Sequence, residues 1–358
     1  IATYGEVIRL GGDFIKLDVD THKLTLPDSL TAANGAYTLT SVEDFAKLAI
    51  TWQTNGCYSM VEGVSENNPN ILQSATITVN GTINLKGTGL TGFTQDRADG
   101  SQVFLGTLNG NGTNGNSTIN LAVGEPYGMR GGAVLDGNDT TNGNGKIYRH
   151  GRLGLFAAVN GATISNVTIA GSMKFDNGSA IDAGSLAGAI VGNLSLSGVT
   201  CKTNIACDDT FANDVNIGGI AGSVLAASTV AFKDNSRAQA TIAATKTLNG
   251  NSRIGGAIGY VGDYGSSFNV AGLEVAGSIE TGNCTSYGAD GAIANSAKKD
   301  VNITGLSFNS FKMGVGKNGD KLNGVGGLLG YSWGNAVVTI GDDNINKSEN
   351  SYALKTTN

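Results

Sequence analysis

The chain has 358 residues, a net charge of −6 and 55 glycines, and only 15% of its residues are charged. Its lysines and arginines are scattered, which argues against the continuous basic groove that binds nucleic acid and against docking on an anionic membrane. No stretch approaches the roughly 18 apolar residues of a membrane helix, so we expect no membrane insertion of this segment. The 3 prolines are too few for a Pro-rich linker or a collagen-like chain.

Residues 1–35 mix β-type and turn-type residues and are predicted to form an N-terminal strand region. The segments 6–10 and 14–19 alternate apolar and polar residues, as half-buried strands do. Asn34 and Gly35 give a turn signal at the end of this region.

Residues 36–70 are predicted to hold one amphipathic helix, which serves as a cap, and a connecting loop. Thr40 is the expected N-cap, Glu43 completes a capping box three residues later, and Gly56 supplies a stop signal. The apolar positions fall on one face: Val42, Phe45, Leu48, Ala49 and Trp52. A single helix before a long β region fits a cap over the first strand edge, which is otherwise open to aggregation.

A short glycine motif recurs six times in the second half of the chain. Its copies lie at 154–157, 184–188, 218–222, 255–259, 291–294 and 326–330. Their last residues are separated by 31, 34, 37, 35 and 36 positions. A period this steady predicts a repeat architecture, in which each unit buries its apolar face against its neighbours.

The residues between the copies favour strands over helices. Segments such as 162–171, 269–279 and 301–308 alternate β-branched and polar residues, and the paired glycines oppose helical repeats of similar period. A β-propeller would call for an aromatic signature in each blade, and none recurs. We therefore predict an all-β fold over residues 71–358: a parallel β-helix solenoid, right-handed by the rule for parallel crossovers, with about three strands in each unit.

The recurring motif resembles the GLUG repeat of bacterial secreted and cell-surface proteins. The block at 104–112 is similar to the segment that often precedes such repeats, and 154–157 with 162–169 resembles the repeat itself. Residues 37–49 look like the capping segment that often opens these regions. The resemblance covers roughly 36–342, with clear repeats from about 151, and departs from the pattern at Ala157 and Ala294, where glycine is expected.

The resemblance implies an extracellular or surface location and an adhesive or scaffold role. A signal peptide is expected to have been removed before Ile1. The family carries no agreed catalytic residues, so the resemblance transfers none to this chain, and no cofactor is predicted. The implied partner is a host or matrix glycan or protein.

Candidate catalytic residues are few. The only histidines are His22 and His150, and no His-Glu-x-x-His zinc motif is present. Adjacent acids occur at 208–209, near Asp214, and at 342–343. They are the basis of the alternative prediction, a polysaccharide-active lyase or glycoside hydrolase, since such enzymes use converging carboxylates.

Binding residues are predicted from two patterns. Exposed aromatic rings often bind the apolar faces of sugars, and the candidates are Tyr260, Tyr264, Tyr331 and Trp333. Tyr260 and Tyr331 each follow the last glycine of a motif, which places them on the same side of a solenoid, either for binding or for packing between turns. The turn around Asp136, Asn138 and Asp139 has some of the oxygen ligands of a calcium loop but lacks its glycine and terminal glutamate, so no metal site is predicted beyond this weak candidate.

Four cysteines complete the inventory: Cys57, Cys201, Cys207 and Cys284. Cys201 and Cys207 are close enough in sequence to form a small disulfide loop, and the other interpretation is that they are small buried hydrophobic residues. Taken together, these features predict a non-enzymatic adhesin-like binding module or stalk.

Overall fold

The computed structural model describes a large part of the chain. The described residues are 16–18, 23–25, 35–54, 72–86, 92–93, 103–111, 117–123, 129–130, 151–176, 181–207, 215–226, 228–244, 252–262, 267–281, 289–290, 293–297, 300–305, 307–315, 329–333, 338–340, 345–346 and 351–354. Within them there is one helix, α1 (Val42–Thr54), and the rest of the regular structure is β.

The strands are short and follow one another closely. Those of the first half are β1 (Lys16–Asp18), β2 (Lys23–Thr25), β3 (Ala36–Leu39), β4 (Thr76–Val79), β5 (Thr82–Asn84), β6 (Val103–Phe104), β7 (Thr107–Gly110), β8 (Ser117–Val123), β9 (Met129–Arg130), β10 (Gly151–Leu153), β11 (Phe156–Val159), β12 (Ala162–Ser165) and β13 (Val167–Asp176). The next are β14 (Ile181–Gly184), β15 (Ala187–Ile190), β16 (Leu194–Ser197), β17 (Thr200–Cys201), β18 (Asn204–Cys207), β19 (Val215–Gly218), β20 (Ala221–Val224), β21 (Ser228–Lys233), β22 (Arg237–Ala238), β23 (Thr241–Ala244), β24 (Arg253–Gly255) and β25 (Ile258–Val261). The last are β26 (Ser267–Ala271), β27 (Glu274–Val275), β28 (Ser278–Thr281), β29 (Ala289–Asp290), β30 (Ile293–Ala297), β31 (Asp300–Thr304), β32 (Ser307–Phe308), β33 (Lys312–Val315), β34 (Leu329–Trp333), β35 (Val338–Ile340), β36 (Ile345–Asn346) and β37 (Ser351–Leu354).

Apart from the antiparallel pair of β1 and β2, the strands form four parallel sheets. Sheet A contains β10, β14, β19, β24 and β29, and sheet B runs from β6 through β11, β15, β20, β25 and β30 to β34. Sheet C runs from β3 to β35 through nine strands, and sheet D holds the remaining fourteen. The all-β, parallel part of the prediction is confirmed, and the arrangement is consistent with a parallel solenoid.

From β10 to β33, the chain visits the four sheets in the same order in each turn. Residues 181–207 contribute β14 to sheet A, β15 to sheet B, β16 to sheet C, and β17 and β18 to sheet D. This turn therefore has five short strands, and the predicted three were too few. One extra strand arises because sheets A and B are separate, and the other arises because sheet D bends sharply, which divides its path into two arms.

Strand register reproduces the spacing of the glycine motif. In sheet B, Phe156 pairs with Ala187, then Ala221, Ile258, Ile293 and Leu329 follow in successive strands. These residues are separated by the same 31, 34, 37, 35 and 36 positions that separate the motif copies. From β11 to β34 the motif thus recurs once per turn, and in its first four copies it lies at the junction of sheets A and B.

The glycines of the motif let sheets A and B pack at very short range. A Cβ on Gly184, at the end of a sheet A strand, would lie 2.4 Å from the Cα of Ala221 in sheet B. Reciprocally, a Cβ on Gly222 would lie 2.3 Å from the backbone nitrogen of Ala183 in sheet A. Neither glycine has the positive φ that favours glycine conformationally, so the residue is required here for space.

The same geometry explains one departure from the motif. Each sheet B glycine approaches the sheet A strand of the preceding turn, as Gly188 approaches Arg152. Ala157 occupies the equivalent position in β11, and sheet A begins only with β10. Among the described strands, none of sheet A lies in the turn before, so no described sheet A strand requires a glycine at Ala157. The strand that contains Ala294 also forms, and it pairs in sheet B.

Helix α1 packs its apolar face against aromatic side chains of the first turns. Phe45, Leu48, Ala49 and Trp52 are buried, as predicted. The Trp52 ring lies 5.7 Å from that of Phe93 and 6.5 Å from that of Phe156 (centroid distances). Phe156 in turn stacks on Phe104 at 4.2 Å. Val42 is the exception: it was predicted to lie on this face, but it is 38% exposed and does not belong to the buried face of the helix.

The N-cap of α1 is Ser41, one residue after the predicted Thr40. The backbone amide of Asp44 donates to Ser41 Oγ at 3.2 Å, and Asp44 Oδ2 accepts from the amide and hydroxyl of Thr40 at 2.9 and 2.8 Å. The reciprocal partner is therefore Asp44, and Glu43 instead pairs with Lys47 at 3.1 Å. The predicted stop at Gly56 lies outside the described residues.

The Asp44 carboxylate is expected to make helix stability depend on pH. Burial raises its pKa, but hydrogen bonds from Thr40 and Ser41 and the charge of Lys47 lower it more, so the pKa lies below its usual value. A lowered native pKa means that the stabilisation is present above the unfolded-state pKa of about 4 and is lost as the pH falls through the native value. Asp44→Ala should therefore lower the melting temperature at pH 7, and the gap to wild type should narrow on acidification. A gap that is the same at pH 7 and pH 3 would contradict this account.

Candidate functional site

One concave surface among the described residues is a groove at the bend of sheet D. Its volume is about 470 Å³, and it is lined by residues of successive strands on both sides of the bend. Gly171 forms the bend within β13: its φ is +90°, and a Cβ there would lie 2.0 Å from the carbonyl oxygen of Leu121. Before Gly171 the strand pairs with β17, and after it with β18, so one glycine separates the two arms.

The outward-facing side chains of the first arm form one wall of the groove. Asn84 pairs with Asn120, which pairs with Ala170, and Lys202 lies beside Ala170 on the next strand. Asn84 and Lys202 are exposed, and Asn120 is half-buried. Inward-facing neighbours such as Ile119 are fully buried, which fixes which side chains point outward.

The second arm supplies the other wall. Ala122 pairs with Ser172, and Ser172 pairs with Asn204. Lys86 closes the groove at one end, where its backbone amide donates to Asn84 Oδ1 at 3.1 Å. The lining thus consists of amides, one hydroxyl, two ammonium groups and small apolar residues, with no carboxylate among the described residues that form it.

A second polar feature lies buried between sheets A and B. Arg152, Asp182, Asn216 and Arg253 occupy one register position on four successive strands of sheet A. The Asn216 amide donates to Asp182 Oδ1 at 2.7 Å, and Arg253 Nη1 donates to Asn216 Oδ1 at 3.0 Å. Ser223 of sheet B donates to Asp182 Oδ2 at 2.8 Å. We call Arg152, Asp182, Asn216, Ser223 and Arg253 the polar ladder. The named hydrogen bonds satisfy the Asp182 carboxylate and the Asn216 and Ser223 side chains, which would otherwise be costly to bury.

Tyr260 packs against this ladder. The guanidinium carbon of Arg253 lies 4.1 Å from the centre of the Tyr260 ring, which is a cation–π contact. The Tyr260 side chain is half-buried, and one face of its ring is occupied by Arg253. This geometry matches the packing interpretation of the residue more closely than that of an open sugar-binding platform.

The other predicted aromatic residues are only partly described. Tyr331 lies in the same register column as Tyr260, but Asn295 separates the two, so they are two turns apart. Trp333 is on the same strand as Tyr331, opposite Ala297. Tyr264 lies outside the described residues, and its role as a binding residue stays a prediction, as do those of Tyr331 and Trp333.

The predicted catalytic and calcium-binding candidates also lie outside the described residues. These are Asp136, Asn138, Asp139, the acids at 208–209 and 342–343, Asp214, His22 and His150. Within the described part of the chain, no group of three or more His, Cys, Asp or Glu side chains is placed to hold a metal ion. Nor is any helix there long and apolar enough to cross a membrane.

Cys201 and Cys207 are free thiols, which excludes the small disulfide loop. Both are buried, on β17 and β18, which pair with β13 on either side of the bend, and they act as small apolar residues of the core. Burial raises the pKa of Cys201 to about 12, so the reactive thiolate is scarce at neutral pH.

Sequence reasoning missed both the groove and the polar ladder. A signal for the ladder was present: the residue two positions before the first glycine of the motif is polar in four consecutive copies. The groove left no such signal, because its wall residues are separated by 36, 50 and 32 positions along the chain from Asn84 to Lys202.

No protein-family model matches the chain, and neither a curated protein nor a solved structure matches it.

Proposed function

We propose that the chain is a right-handed parallel β-helix that serves as a non-enzymatic binding module of a bacterial surface or secreted protein, and that it binds glycans in the groove of sheet D. The observation that carries the proposal is the lining of the groove. Amide, hydroxyl and ammonium groups at its surface are the hydrogen-bonding partners that sugar hydroxyls need, and the intervening small residues leave room for a sugar ring.

The surface composition favours a glycan over a protein partner. Protein interfaces are centred on clusters of large apolar or aromatic side chains. Among the described residues, the exposed large hydrophobic side chains are Val42, at the start of α1, and Leu105, between β6 and β7. A groove lined largely by polar groups suits a carbohydrate chain better.

The groove also supports binding over catalysis. Glycoside hydrolysis uses a pair of carboxylic acids that flank the scissile bond. The described lining contains no Asp or Glu, so it offers neither the acid nor the nucleophile of such a reaction. The repeated, rigid turns fit a scaffold that holds the groove at a fixed position.

The proposal is tested by blocking the groove. Ser172 is half-buried on the groove wall, and Ser172→Phe should fill the space and weaken binding in a glycan array by about tenfold or more. Thr163→Phe is the matched control, since Thr163 is exposed on sheet C, away from the groove. Glycan binding that survives Ser172→Phe unchanged would overturn the location, and release of new reducing ends from a bound polysaccharide would overturn the non-enzymatic function.

A further inference from the structure

The outward-facing residues beside the bend of sheet D continue as one column well beyond the groove. Ser172 pairs with Asn204, Asn204 with Thr241, Thr241 with Ser278, and Ser278 with Lys312. Each of these positions is polar or basic, and each is at least partly exposed. The column therefore forms a polar track that runs along the stacking direction of the strands.

The charge of this track is opposite to that of the chain as a whole. The chain has 29 acidic and 23 basic residues, yet the described groove lining contains Lys86 and Lys202 and no acid. Along the column to Lys312 there is again no carboxylate. The nearest acid on this arm is Glu280, two residues beyond Ser278 on the same strand and so in a separate outward column.

The two groove lysines are separated along the stacking direction. Asn84, Asn120, Ala170 and Lys202 lie on four successive strands, which places Asn84 and Lys202 about 14 Å apart at a strand spacing of about 4.8 Å. Lys86 lies two residues after Asn84, at the same end of the groove. The spacing of strands is close to the length that one hexopyranose unit adds to an extended polysaccharide, so successive units meet successive strands.

From these observations we propose that the groove binds an anionic polysaccharide, lying along the stacking direction of the strands, with its acidic groups at Lys86 and Lys202. The inference rests on the proposed function and adds the charge, the direction and the minimum length of the ligand. An ammonium group and a carboxylate or sulfate form a charge-assisted hydrogen bond, which is stronger than a bond between neutral groups. A ligand shorter than about four units reaches only one of the two lysines.

The test measures the affinity of the chain for oligosaccharides of matched length by calorimetry. The probes are galacturonic acid oligomers as carboxylates, heparin-derived oligomers as sulfates, and neutral β-linked glucose oligomers, each as a disaccharide, a tetrasaccharide and a hexasaccharide. We expect at least one anionic series to bind, with affinity rising about tenfold from disaccharide to tetrasaccharide, and binding to weaken as salt is added. The two anionic series identify which acidic group is preferred.

Replacing each groove lysine by glutamine tests whether its charge, rather than the shape of the groove, determines affinity. Lys86→Gln and Lys202→Gln should each weaken tetrasaccharide binding by about fivefold, as expected for a single solvent-accessible ionic contact. Lys233→Gln is the control, because Lys233 is exposed on sheet C outside the groove.

Three outcomes would overturn the inference while leaving glycan binding intact. They are neutral oligomers that bind as tightly as anionic ones, lysine variants without effect on affinity, and an affinity that is independent of oligomer length. Failure of all three series, together with a glycan array that shows no binding sensitive to Ser172→Phe, would overturn the proposed function itself.

Discussion

Gly184→Ala should destabilise the chain by about 3 kcal/mol, the upper end of the range for adding a methylene to a packed core. The new Cβ would lie 2.4 Å from both the Cα of Ala221 and the carbonyl oxygen of Ile220. These are backbone atoms of a neighbouring strand and cannot rotate away, so sheets A and B would have to separate locally. Urea denaturation followed by circular dichroism measures the change.

Gly161→Ala is the matched control for this prediction. Gly161 has a φ of +65°, and nothing lies within 4 Å of a Cβ built there. The substitution adds only backbone strain, which costs an alanine about 1–2 kcal/mol. If Gly161→Ala destabilises the chain as much as Gly184→Ala, then the motif glycines are not explained by the close approach of the two sheets.

Asp182→Ala should cost about 3 kcal/mol, because two buried donors each lose their acceptor and a buried unsatisfied donor costs about 1–3 kcal/mol. Asp182 is only 2% exposed, and its two carboxylate oxygens accept from Asn216 and Ser223. Without the carboxylate, both donors lose a buried acceptor, and the negative charge next to the Arg152 position in the register is lost. Thermal and urea unfolding at neutral pH measure the effect.

Two other substitutions provide reference values for the destabilisation caused by Asp182→Ala. Ser223→Ala removes one donor and leaves the carboxylate with Asn216, so it should cost about 1 kcal/mol. Thr163→Ala, at an exposed strand position, should change stability by less than about 0.5 kcal/mol. An Asp182→Ala variant as stable as Thr163→Ala would show that the polar ladder contributes nothing to the native structure.

The glycine motif shows how much of the fold could be predicted from sequence. Its spacing gave the number of residues in each turn, because every strand of sheet B pairs with the strand one motif later. The alternation of apolar and polar residues identified the inward face of the sheet C strands, such as Ile164 and Leu196. The apolar face of α1 was correct except for Val42, where an apolar residue in the first turn remains exposed.

The errors have local physical causes. The N-cap was placed at Thr40 because both Thr40 and Ser41 are good capping residues, and the choice depends on which side chain reaches the amide of Asp44. The strand count per turn was too low because two features depend on contacts between turns: the separation of sheets A and B at the glycine motif, and the bend of sheet D, where Gly171 closely approaches Leu121.

The sequence by itself determined the period, the strand character and the inward-facing residues, because these follow from local propensity and from alternation along a single strand. Only the tertiary structure decided which polar side chains lie together. The groove joins Lys86 to Lys202, and the polar ladder joins Asp182 to Arg253, through strand register between turns. Turn length varies along the chain, so a residue's neighbour in the next turn is fixed only once the strands have paired.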